Sequence, residues 1–100
     1  MAWKLINDYN SYYEWKFRGP INLAQTWIEF SDVYKEDRKK LNYCSVMYEV
    51  GSSLKSSRAI SNNNAFAKAK KLQKRIMKIL TPYLSGKEDW FKTVDKLNKL

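Results

Sequence analysis

The chain has no histidine, one cysteine, three glycines and two prolines among its 100 residues. Each shortage closes off a chemistry. Without histidine the commonest general base and the commonest metal ligand are gone, and a serine or cysteine nucleophile loses its usual partner. Cys44 stands alone, so no internal disulfide and no zinc cluster can form, and it reads as a small hydrophobe rather than a reactive thiol. Glycine is too scarce for a phosphate-cradling loop, and the patterns GxxxxGK[ST], GxGxxG and GxSxG are absent. The acids at Asp32, Glu36 and Asp37 sit among bases at helical spacing and read as a solvated face, whereas Glu88 and Asp89 fall in a predicted first helical turn. The expectation is a protein that is not an enzyme and carries no cofactor and no metal.

No apolar run approaches the roughly 20 residues needed to span a bilayer. The opening Met1-Ala2-Trp3-Lys4 lacks the layout of a secretion signal, so no transmembrane segment and a cytoplasmic location are expected.

What is abundant is positive charge and aromatic rings. Nineteen Lys and Arg against ten Asp and Glu leave a formal charge of +9, and 15% of the residues are aromatic. From Val50 through Gly86 there is no acid, while Lys55, Arg58, Lys68, Lys70, Lys71, Lys74, Arg75 and Lys78 are all basic.

With so few helix breakers, apolar residues at three- and four-residue spacings predict an all-α fold, a single bundle of four to five helices over residues 1–100. A first helix is predicted over 3–17, with Leu5, Ile6, Tyr9, Tyr12, Tyr13 and Phe17 on one face, stopped by Arg18-Gly19-Pro20. The series Leu23, Trp27, Phe30, Tyr34, Leu41 predicts a helical seam that also suits a homodimer mate. Near the charged run 35–40 the chain either breaks or continues as one long helix that changes partners, and a break is the favoured expectation. The Ser- and Asn-rich stretch 51–64 reads as a frayed end and a loop, with Asn63 or Asn64 as N-cap. A regular helix is predicted over 65–80, which Thr81-Pro82 should end or kink. Ser85 and Glu88 fit a capping box that opens a last helix, with Trp90, Phe91, Val94, Leu97 and Leu100 turned inward.

On the 65–80 helix, Lys68, Lys71, Arg75 and Lys78 form one stripe opposite Phe66, Ala69, Leu72, Ile76 and Ile79, and Lys70 and Lys74 widen it. A merely solvated face would be free to mix in acids; here none offsets the bases. The pattern points to binding of a DNA or RNA backbone, with Lys55 and Arg58 extending the stripe. Lysine predominates over arginine, and that favours point-charge attraction over reading of base edges. A second expectation is a small regulator or inhibitor, of the type phages and mobile elements carry, docking on an acidic protein surface through Trp3 and Trp15. A third is a membrane-surface or immunity-type helical bundle.

Overall fold

The computed structural model describes residues 2–100 and overturns the all-α expectation. The first sixty residues form a five-stranded antiparallel sheet: β1 (Lys4–Tyr9), β2 (Tyr12–Arg18), β3 (Leu23–Glu29), β4 (Tyr43–Val50) and β5 (Leu54–Ser61), paired in chain order. Two helices follow, α1 (Ala65–Leu84) and α2 (Trp90–Asn98), and a 3₁₀ segment (Lys35–Lys40) lies between β3 and β4. The four-to-five-helix bundle is therefore a sheet with two helices on it.

The physical reason lies in the spacing itself. A four-residue step keeps side chains on one face of a helix, and, being even, it does the same on a strand. Val46 and Val50 are four apart and lie on the core face of β4 together with Cys44 and Tyr48. The helix predicted over 3–17 is a hairpin instead, in which Tyr9 pairs with Tyr12 across a tight turn at Asn10 and Ser11. Its Tyr, Trp and Ile residues suit the pleated surface of a sheet better than a helix. Nor does the seam exist as a stripe. Leu23 and Trp27 lie on one sheet face, Phe30 enters the core and Tyr34 is exposed. The predicted loop 51–64 contains β5, an edge strand that sends Leu54, Ser56, Arg58 and Ile60 to the core side.

Period-two alternation gives the sheet two unlike faces. One carries Tyr13, Trp15 and Phe17 of β2, Ala24, Thr26 and Ile28 of β3, and Val46, Tyr48 and Val50 of β4. Helix α1 lies across it, burying Ala65, Phe66, Ala69, Gln73, Ile76, Leu80 and Leu84. Gln73 pins the helix at mid-length, donating through Nε2 to the carbonyls of Thr26 (3.1 Å) and Tyr13 (3.4 Å). Leu97 of α2 completes the core. Among the described residues no helix lies on the opposite sheet face, where Tyr9, Tyr12 and Trp27 stack in a row.

Two glycines are dictated by backbone. Gly51 turns β4 into β5 at φ 53°, and a Cβ there would lie 2.6 Å from Asn22 Oδ1. Gly19 faces the carbonyl of Leu84, so no side chain fits between the β2–β3 turn and the end of α1.

The sequence places the start of α1 correctly, but the helix continues through Pro82 to Leu84. Pro82 stands in the last turn, and the chain closes beyond it with Ser85 N on Thr81 O (3.0 Å) and Lys87 N on Pro82 O (2.8 Å). Ser85 is the C-cap of α1 rather than the opening of a capping box. The N-cap of α2 is Asp89, whose carboxylate accepts from Lys92 N at 2.8 Å. Phe91, expected inside, is 85% exposed.

Candidate functional site

At about 100° per residue, the residues that α1 buries fill one arc, and Lys68, Lys71, Lys74, Arg75 and Lys78 fall within about 120° centred opposite to it. All five are exposed. Among the described residues, every ion pair involves cations elsewhere: Lys35, Arg38, Lys40, Lys96 and Lys99. The crest of α1 is thus a row of cations without carboxylate partners, held in place by the burial of the other face.

Lys70 departs from this row. It is half-buried on the flank toward β2, with Nζ 5.7 Å from the Tyr13 ring centre and 5.6 Å from that of Phe66. Its charge is shared with two π-faces inside the fold.

Lys55 and Arg58 do not extend the crest. Lys55 lies on the uncovered sheet face, in register with Glu49, on the far side of the sheet from α1. Arg58 lies on the helix side, where Nη2 donates to the Leu100 carbonyl at 3.0 Å, tying β5 to the end of α2. Trp3 is engaged within the fold: Nε1 donates to Thr81 Oγ1 at 2.9 Å and the ring tilts onto Phe17. Trp15 is half-buried on the helix side of β2, edge-on to Tyr13 with ring centres 6.2 Å apart.

The two flanks of the crest differ. Toward α2, Arg75, Lys78 and Ile79 face Lys96, Lys99 and Leu100 across a shallow groove. Lys96 and Lys99 are matched by Glu88 (3.2 Å) and Asp95 (2.9 Å). The Lys96 ammonium and the Asp89 amide both donate to the Glu88 carboxylate and hold its pKa below the usual range. Toward β2, Tyr13, Trp15, Lys70, Gln73, Lys74 and Met77 enclose a small slot of about 120 Å³.

A second cationic group was missed from the sequence because Lys4 lies twelve residues from its partner Lys16. Lys4 and Lys16 are direct cross-strand partners on the uncovered face, and Arg18 is two residues on, around a hollow shared with Ala2 and Ile6. Like charges opposite one another destabilise a strand pair. The strand register, once known, reveals this; the chain order does not.

No protein-family model, curated protein or solved structure matches this chain. Among the described residues, no helix is long and apolar enough to cross a membrane.

Proposed function

We propose that the chain binds a nucleic-acid backbone along the outward face of α1, with phosphates on Lys68, Lys71, Lys74, Arg75 and Lys78. The observation that carries this reading is the crest of five exposed cations with no acid among them and, among the described residues, no ion pair to neutralise them. Mutual repulsion on one helix face opposes folding by a few tenths of a kcal/mol per neighbouring pair, and a polyanion reverses its sign. Lysine ammonium groups on flexible stems suit attraction to phosphates rather than bidentate reading of bases.

The test is binding of fluorescent single- and double-stranded DNA and RNA across a salt series. Five phosphate contacts predict a slope of log affinity against log salt of about −4 to −5 for duplex DNA. The variant Lys71→Glu, Lys74→Glu, Arg75→Glu, Lys78→Glu should lose binding while keeping its helicity. Absence of binding at low salt, or affinity indifferent to salt, defeats the proposal.

A second reading, an acidic protein surface as partner, is favoured by Phe91. Its ring is 85% exposed on α2 and so offers an apolar anchor. In that case association would withstand nuclease treatment and be lost in Phe91→Ala.

A further inference from the structure

We propose that the slot beside Trp15 receives one unstacked base of a single strand whose phosphates run along α1, so that the preferred ligand is single-stranded rather than duplex. This rests on the phosphate-binding reading of the crest. The slot opens between β2 and α1, bordered by the rings of Tyr13 and Trp15, by Met77, and by the rim lysines Lys70 and Lys74. Its volume of about 120 Å³ is close to that of cavities that hold a single six-membered ring. A base seated there would meet aromatic surface, the sequence-tolerant contact that single-strand binders use.

Two features distinguish the slot from a packing gap. Gln73, only 1% exposed, forms part of its lining, and its amide is oriented by donation to the Thr26 and Tyr13 carbonyls. That leaves the carboxamide oxygen as the acceptor of this group. The slot also adjoins the charged row. Lys70, Lys74 and Lys78 follow one another at four-residue steps, about 6 Å apart along the helix axis. A strand lying on Lys74 and Lys78 therefore passes beside the slot, which Lys74 borders. A duplex keeps its bases stacked and paired, so none is free to enter.

The experiment compares three probes of equal length at one salt concentration: oligo-dT, an abasic deoxyribose-phosphate strand, and a duplex. Oligo-dT should bind about tenfold more tightly than the abasic strand, within the range for stacking of one base on aromatic side chains. It should also bind more tightly than the duplex. Trp15→Ala should abolish the preference for dT over the abasic strand and, when oligo-dT is titrated across a salt series, leave the salt slope unchanged. Met77→Phe, which fills the slot without removing Trp15, should do the same, and it decides the matter if Trp15→Ala fails to fold. Equal binding of dT and the abasic strand, or a preference that survives Met77→Phe, overturns the slot and leaves the crest standing. Binding of none of the three probes overturns the crest, and the slot with it.

Discussion

Arg38 ties the long β3–β4 connection back to the first hairpin. It is 8% exposed, with Nη1 2.7 Å from Asp8 Oδ1 and Nη2 donating to the Tyr9 carbonyl at 2.6 Å. Its guanidinium lies over Phe66 and Phe30, 5.1 Å and 5.3 Å from their ring centres. A third of the Asp8 side chain stays wet, so Arg38→Ala should cost about 3 kcal/mol, the low end for breaking a buried pair, measured by urea unfolding. Cys44 contributes differently. Burial pushes its thiol from 9.0 up to about 11, and Sγ lies 3.4 Å from the Ala65 carbonyl. Tyr12 is pushed from 10.0 to about 12, first by burial and then by Glu14, Glu29, Tyr9 and Glu49. Both groups hold their protons more tightly when folded. Their contribution is therefore complete below the unfolded pKa values and is lost as pH rises through about 9 to 12. Urea midpoints should fall across that window, and iodoacetamide at pH 8 should label Cys44 only after unfolding.

Helix α1 illustrates how stability and binding oppose each other on one element. Replacing Lys74 by Glu turns two repulsive i,i+4 neighbours, Lys70 and Lys78, into attractive ones, worth about 0.5 to 1 kcal/mol at low salt. The variant should melt higher than the parent and bind polyanions more weakly, a combination that general damage to the fold would not give. This helix was legible in the sequence for a plain reason. Ala, Lys, Leu and Gln are strong helix formers, and the apolar set Phe66, Ala69, Leu72, Ile76 includes three-residue steps that no strand can keep on one face. The strands were not legible because their apolar residues often recur four apart. In β5 the alternation is carried by Leu54, Ser56, Arg58 and Ile60, where two of the four inward residues are polar. What favoured strands was residue type: the aromatic and β-branched residues of β1 to β4 outnumber their strong helix formers. The candidate site follows the same division. The crest could be read from α1 alone, whereas Lys55 and Arg58 were misgrouped because their positions depend on a strand that had not been recognised.

Across the whole molecule, charge divides by face. The crest of α1 is purely cationic, whereas the uncovered sheet face mixes Lys4, Lys16, Arg18 and Lys55 with Glu14, Glu29 and Glu49. Lys16→Gln should therefore leave nucleic-acid affinity within about twofold. It should also stabilise the fold by a few tenths of a kcal/mol, because it removes the Lys4–Lys16 opposition, as differential scanning calorimetry would show. The order of the elements has a further consequence for how the chain is made. Every strand pairs with its immediate predecessor, so the sheet can assemble as it emerges, from β1 to β5. Its apolar face, with Phe17, Ala24, Ile28, Val46 and Val50, then waits for a cover that is not synthesised until residues 65–84. During that interval the nascent chain presents a bare hydrophobic sheet with two open edges, the configuration most prone to pairing with another chain. A ribosome-bound chain stalled once Ser61 has left the exit tunnel but before α1 has done so should thus aggregate or recruit chaperones, and one that has also released α1 should not.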